Sequence, residues 1–375
     1  MFRKVLFIAF VVIVTLSTSC APASTPTPVA PQPEPPQAIV EPTKPPEPTQ
    51  AAVEPTKLPE PEQAPPEPTA APEKSFVVGM VTITSHPSLD QIAQGVKDSL
   101  ANAGFVDGEN LKIIEGNAQG DMATMNTIVQ GFVDENVDLI VAITTPAAQT
   151  AYKLTQDAGG PPVIYSGISN PYAAGLAESP EKHPAWVYGN QLMDPIVPTL
   201  ELIKEVVPDV KKIGMVYNPA EANSAYLVEA ATAEAEKMGL ELVIATVSNS
   251  NEIATAAESL VSQDVDAFMS INDNTVVSGF EAWVKVANDN QIPLLGTSAS
   301  MPGLGAVASY GVNPYQEGLD SGDYVVQVLN GELDLATAVI QIQDAVLLTI
   351  NPSAAEKQGV TLSQSLVEGA DKVIE

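Results

Sequence analysis

The sequence predicts an α/β protein built as two doubly wound parallel-sheet lobes, and three observations carry that expectation. Short β-rich runs alternate with longer stretches of helical spacing. The alternation passes through two successive sets. The region that carries it is about 300 residues, long for one hydrophobic core and comfortable for two.

The chain ahead of that region reads differently. Arg3 and Lys4 precede an unbroken apolar run from Val5 to Leu16, followed by Ser17, Thr18, Ser19 and Cys20. A basic start, a short apolar core and small residues predict a secretory signal peptide over residues 1–19. The run falls short of the roughly 20 apolar residues of a permanent span. Cys20 is the sole cysteine. Its place after the small residues resembles a bacterial lipoprotein signal, in which that cysteine is lipidated and becomes the mature N-terminus. Acylation there leaves no thiol for a disulfide. Residues 20–74 form a tether rich in Pro, Glu and Thr: 18 of the 33 prolines fall between 21 and 74, and EPTKPPEP at 41–48 returns as EPTKLPEP at 54–61. With few large apolar residues it cannot bury a core. Proline keeps such a chain extended, giving a reach on the order of 150 Å.

In the folded part, Phe76 to Ile83 reads as a buried strand. Ser88 to Ala103 has helix spacing, with Leu89, Ile92, Val96 and Leu100 on one face, and Gly104 ends it. Strands at 111–115, 137–143 and 163–165 alternate with helices at 122–136 and 147–156. The second set has helices at 196–206, 221–238, 252–261 and 275–290, and strands at 212–217, 241–247, 267–271 and 292–296. A strand at 306–310, a helix at 314–329 and a strand at 345–350 follow.

The formal net charge of −30 excludes nucleic acid and an anionic membrane surface as expected partners, since both require basic patches. Ligands of open parallel sheets bind outside the carboxyl ends of the strands. The segments there carry hydroxyls, amides and few charges, which suits a polar small molecule. Thr145-Pro146-Ala147 opens a helix, where free N–H groups favour an anion, and plain capping by threonine stays open beside that reading. Asp273-Asn274 also opens a helix: Asp273 either caps it or pairs with a ligand ammonium. An anion site on one lobe and a carboxylate on the other would match a zwitterionic amino acid. His86 has no partner cluster, with His183 the only other histidine, so a packed loop histidine is expected rather than a base or metal ligand. No metal and no cofactor are expected. The chain carries no nucleophile elbow, P-loop, zincin motif or dinucleotide fingerprint after its first strand, and it is read as a non-enzyme.

Several phrases occur together in order: SHPSLDQIAQGVKDSLANAGFVDGENL at 85–111, NAQGD at 117–121, VDLIVAITTPAAQTA at 137–151, VKKIGMVYNPAEANS at 210–224, SINDNTVVSGFEAWVKVANDNQIPLLG at 270–296 and ASYGVNPYQEG at 308–318. They resemble the ABC-transporter substrate-binding family that includes tryptophan- and tyrosine-associated lipoproteins. The resemblance implies a periplasmic-binding-protein fold of type I with a three-crossing hinge near 190, 302 and 335. The lobes would then be 75–190 plus 303–335 and 191–302 plus 336–375. It implies His86, Thr145, Ala147, Ser166, Ser224, Asp273, Asn274 and Tyr310 as cleft positions, with Tyr310 weighed between a ligand wall and core. The family often has Gly-Ser/Thr-Asp where this chain has Gly296-Thr297-Ser298, so an acid is missing there. The function implied is a monomeric solute-binding component. It is exported, held by lipid to the outer face of the cell membrane, and hands a small amino-acid-like ligand to a permease and its ATPase. A sensory module for a receptor, or a surface enzyme on the same scaffold, are the alternatives.

Overall fold

The computed structural model describes residues 75–156 and 159–374. The expected signal peptide, Cys20 and the expected tether lie outside the described residues.

The first lobe opens with β1 (Phe76–Thr82), α1 (Pro87–Asn102), β2 (Leu111–Asn117), α2 (Met122–Asp134), β3 (Leu139–Ile143), α3 (Thr145–Gln156), β4 (Val163–Ile168) and β5 (Val187–Leu192). Strands buried on both faces are continuous apolar runs, as in β3, where every residue is buried. Helix starts follow local chemistry: Asp121 Oδ1 accepts from Thr124 N at 2.7 Å to cap α2, and Pro87 sits in the first turn of α1. The sequence pattern does not reveal β5, whose segment VYGNQL turns polar towards its end.

The second lobe comprises α4 (Ile196–Val206), β6 (Lys212–Tyr217), α5 (Ala222–Lys237), β7 (Glu241–Thr246), α6 (Ile253–Val261), β8 (Ala267–Ser270), α7 (Asn274–Ser278), α8 (Phe280–Asn290), β9 (Leu294–Gly296) and β10 (Ala308–Val312). Alternation along its strands feeds two cores. Ala267 and Met269 of β8 pack with Ile213 and Met215 of β6 on one face. Phe268 joins Phe280 and Trp283 on the other. The chain then passes through α9 (Pro314–Asn330), β11 (Ile342–Gln343), β12 (Val346–Ile350), α10 (Pro352–Lys357), α11 (Gln364–Glu368) and β13 (Lys372–Val373).

One six-stranded sheet has the order β11-β5-β4-β3-β1-β2, and a seven-stranded sheet has the order β13-β12-β10-β9-β8-β6-β7. Each contains the doubly wound 2-1-3-4-5 order: β2-β1-β3-β4-β5 in one lobe and β7-β6-β8-β9-β10 in the other. Pairing is parallel except between β10 and β12.

The expected hinge is corrected in two places. The strand expected to return to the first lobe, β10, pairs in parallel with β9 and antiparallel with β12, so it belongs to the second sheet. The chain crosses at Asn313, after the strand, not near 302. Asn313 Oδ1 caps the helix that follows, accepting from Tyr315 N at 3.0 Å. Helix α9 then lies against α1 through facing glycines: a Cβ on Gly318 would stand 2.1 Å from Ile92 O. The last crossing lies between β11, paired with β5, and β12, not near 335. Residues 303–312 therefore belong to the second lobe and residues 336–343 run with the first, reversing both expected assignments.

Candidate ligand-binding site

In a 2-1-3-4-5 sheet the crevice opens where the strand order reverses, between the first and third strands. The two lobes turn these points towards each other. His86 follows β1 and Thr144-Thr145 follow β3; Asn223 follows β6 and Asn272 to Asn274 follow β8. All of them line one cavity. Thr297 and Ser298 after β9, Ser169 after β4, and Glu317 of α9 complete its polar wall, while Leu89, Ile92, Leu192, Met193, Val277 and Val312 supply an apolar one. The cavity is about 70 Å³, against roughly 10–15 Å³ for one water. It has room for a small solute. No lysine or arginine lines it.

The lobes meet over the cavity. Ser88 Oγ of α1 lies 2.6 Å from Ser300 Oγ of the second lobe, and Ser278 Oγ donates to Thr84 Oγ1 at 3.5 Å.

The cavity wall holds buried polar atoms without partners: both ring nitrogens of His86, Thr144 Oγ1, Asn223 Oδ1, Thr297 Oγ1 and Glu317 Oε2. Buried polar atoms are ordinarily satisfied, so a cluster of unsatisfied ones from both lobes marks a place for a partner molecule. Burial pushes the His86 imidazole down to about 4, against the opposing pull of Asp90 and the Asn274 side chain. Asn274 is near, yet forms no hydrogen bond of good geometry with the ring. Thr144 has φ +92°, a left-handed conformation costly for a β-branched residue. It turns the chain sharply into α3. The first helical bond there is Ala148 N to Thr144 O at 2.9 Å. The Thr145 and Ala147 amides precede it without a helical acceptor, and Pro146 has no N–H.

The second lobe is differently arranged. Asp273 Oδ1 accepts from Val276 N at 2.8 Å, capping α7, and Oδ2 accepts from Asn218 N at 2.7 Å. Glu221 takes the Asn274 and Thr275 amides at 3.1 and 3.0 Å. Burial, with Glu221 beside it, raises the Asp273 carboxyl well above the usual carboxylate range. The capping reading of Asp273 therefore holds, although the residue also borders the cavity.

Of the expected cleft positions, His86, Thr145, Asp273 and Asn274 come together on the cavity wall. Ala147 is fully buried inside the first-lobe core and faces no ligand with its side chain. Ser166 stands behind the wall, donating to Glu317 Oε1 at 2.9 Å. Ser224 is buried beside Asp273 and is reached by Asn223 Nδ2 at 3.3 Å. Tyr310 is not at a strand end: it lies mid-way along β10 and packs against the second-lobe core near Glu201 and Glu205. Val312, two residues on, lines the cavity instead, about 6.6 Å further along the strand.

Glu317 was not anticipated. It is 1% exposed, and burial pushes its carboxyl up to about 7, against the favourable Gly167 amide and Ser166 hydroxyl. A signal existed. Pro314, Gly318, Ser321, Val325 and Leu329 form the buried stripe of α9, and Glu317 falls on it. An acid on a buried stripe is out of place unless it has a task.

Among the described residues no cluster of His, Cys, Asp and Glu could hold a metal ion, and no helix is long and apolar enough to cross a membrane.

Two doubly wound lobes closing over a cavity of unpaired polar atoms define a ligand-capturing protein of the type I periplasmic-binding-protein fold. Residues 77–374 match the family of ABC transporter substrate binding proteins, and the chain belongs to it. It is 38% identical over 255 residues, 68% of this chain and 73% of the relative, to a tyrosine-binding protein of Clostridioides difficile strain R20291. Among solved structures, an ABC domain from Streptococcus pneumonia in complex with L-Trp is 34% identical with a TM-score of 0.75, covering 80% of this chain and all of that one. A ligand-free, open substrate binding protein with adhesive properties from Clostridium difficile is 32% identical with a TM-score of 0.59, covering 80% and 99%. The contact of Ser88 with Ser300 brings the two lobes together in this structure.

Proposed function

We propose that the chain captures a small amino acid between its lobes and delivers it to an ABC permease, acting as an exported monomer anchored through lipid on Cys20. The observation that carries the ligand reading is the set of unpaired buried atoms on the cavity wall, together with the free amides at the start of α3. A ligand carboxylate suits those amides, an ammonium suits the cavity's carboxyls, and the apolar wall suits a side chain. Relatives described as tyrosine-binding and as bound to L-Trp support the same class. The chain needs no chemistry of its own for this role. Closure follows from contacts the ligand makes with both lobes at once.

Calorimetric melting of the full chain in detergent, with each of the twenty amino acids and a set of sugars, tests the ligand class. A ligand of the folded state alone adds about 2.7 kcal/mol at a hundredfold excess over Kd. A shift from one amino acid or a few is expected. Silence from all of them, with a shift from a sugar, would keep solute capture and end the amino-acid reading. The anchor is tested by labelling cells with radioactive palmitate: the wild-type chain takes up label and sediments with membranes, and Cys20→Ser does neither.

A further inference from the structure

We propose that Glu317 receives the ammonium of the bound amino acid, so that the first lobe alone holds the charged head group. The assignment rests on the amino-acid reading above and adds the residue and the lobe.

Four carboxyls are buried at or beside the cavity, those of Asp194, Glu221, Asp273 and Glu317. Asp194 Oδ1 is also without a partner, but Asp194 is not on the cavity wall, and the other three differ in what is left free. Both oxygens of Glu221 are taken by groups of α7. Both oxygens of Asp273 are taken by backbone amides. Glu317 Oε1 accepts from Ser166 Oγ and Gly167 N, each at 2.9 Å, while Oε2 is buried, borders the cavity and has no partner. One oxygen fixes the group and the other is presented to the ligand. Among the described residues no lysine or arginine stands on the wall to pair with that oxygen, which suits a cationic group of the ligand.

Position agrees with chemistry. Ser166 links the two halves of a head-group site: its carbonyl accepts from Thr144 N at 2.9 Å at the start of α3, and its hydroxyl bonds Glu317. The free amides of Thr145 and Ala147 and the free oxygen of Glu317 thus belong to neighbouring elements of one lobe. An α-amino acid carries its anion and cation on a single carbon and requires two such sites side by side. The second lobe, whose acids are occupied, offers no equivalent pair.

The test is isothermal titration of the full chain in detergent. Each amino acid that binds is compared with the carboxylic acid lacking only its α-ammonium. Glu317→Gln retains an acceptor for Ser166 and Gly167 but turns an uncharged amide to the cavity. It should weaken amino-acid binding about a hundredfold, as loss of one partner of a buried charge pair does, and erase the preference over the analogue. Asp273→Asn should lower the melting temperature and keep that preference. Glu317→Asp, one methylene shorter, should weaken binding in the same direction and stands in if Glu317→Gln does not fold. An unchanged preference in either Glu317 variant, or its loss in Asp273→Asn instead, overturns the assignment and leaves the amino-acid reading standing. A wild-type chain that binds no amino acid overturns both.

Discussion

Replacing Ser300 by alanine tests closure from a residue off the cavity wall, although its hydroxyl bonds Ser88 and Ser298, which are on it. The Ser88–Ser300 bond, 2.6 Å long and partly buried, joins α1 of the first lobe to the segment after β9 of the second. It exists only while the lobes are closed. A hydrogen bond of this kind contributes about 0.5–1.5 kcal/mol net, which is roughly a 2- to 12-fold shift of the equilibrium towards the open form. Where the closed form is the minor one in the ligand-free protein, apparent affinity scales with its population, so Kd should rise by the same factor. The other interlobe bond supplies an internal comparison. Ser278 Oγ to Thr84 Oγ1 is 3.5 Å, at the limit for a bond, and the same hydroxyl donates to Asn274 O at 2.7 Å. Ser278→Ala should therefore change Kd less than about twofold. Titration calorimetry gives the two Kd values, and small-angle scattering gives the ligand-free radius of gyration, which should grow in Ser300→Ala alone. Equal Kd values for Ser300→Ala and wild type would refute the reasoning, as would equal effects of the two variants.

Two further outcomes are expected. Gly318→Ala gains up to about 1 kcal/mol of helix propensity, but its Cβ would meet the Ile92 carbonyl oxygen at 2.1 Å and Gly95 Cα at 2.9 Å. Backbone cannot rotate aside, overpacking of about 1–3 kcal/mol wins, and the variant should melt lower; a melting temperature at or above wild type would contradict this. The pH dependence follows from the buried groups. Glu317 and Asp194 are each raised to about 7 by burial, and Asp273 is raised in the same direction, so the folded state holds protons that the unfolded state has released. Stability from these groups is present below their unfolded pKa values and is lost as pH rises through about 7. His86, lowered to about 4, acts oppositely between about 4 and its ordinary 6.5, and offsets one of the three acids. The ligand-free chain should thus lose stability from about pH 5 to 7, with Glu317→Gln flattening the slope by about 1.4 kcal/mol per pH unit. Denaturant titrations at several pH values would show it, and a rise in wild-type stability over that range would contradict it.

The alternation of strands and helices was open to reading because parallel strands covered on both faces must be continuous apolar runs, as LIVAI of β3 is. What local pattern cannot carry is which sheet a strand joins. β10 looks the same from sequence in either lobe; its pairing with β9 and β12 is decided by where the chain can cross, at Asn313-Pro314, where an extended residue meets a capped helix. The same limit governs the site. The rule that ligands bind beyond strand carboxyl ends leads to His86, Thr145, Asp273 and Asn274, because loop position alone fixes them. It overshoots at Ser166 and Ser224, which lie behind the wall; the resemblance alone implied Tyr310, which lies within β10, a strand that ends at Val312. Glu317 escapes the rule because it comes from a helix laid across the lobe from the far end of the chain.

The two lobes repeat one topology, and the difference between them gives the ligand its direction. Helix α3 follows the third strand of the first sheet, and α7 follows the third strand of the second. At α7 the leading amides are consumed from within, by Glu221 on Asn274 and Thr275 and by Asp273 on Val276. Nothing is left there for an anion, and two buried carboxyls beside it would repel one. At α3 no acidic side chain caps the helix, the strained Thr144 opens it, and Thr145 at its start borders the cavity. A carboxylate entering the cleft is therefore drawn to the first lobe, where Glu317 waits for the opposite charge. The second lobe, with its acids Glu221 and Asp273 already bonded, serves as a preformed cover: its contribution comes on closure, through Asn223, Thr297 and the apolar face of Val277 and Val312. Selectivity among amino acids then belongs to residues the head group does not use, since the side chain is what the closing lobe meets.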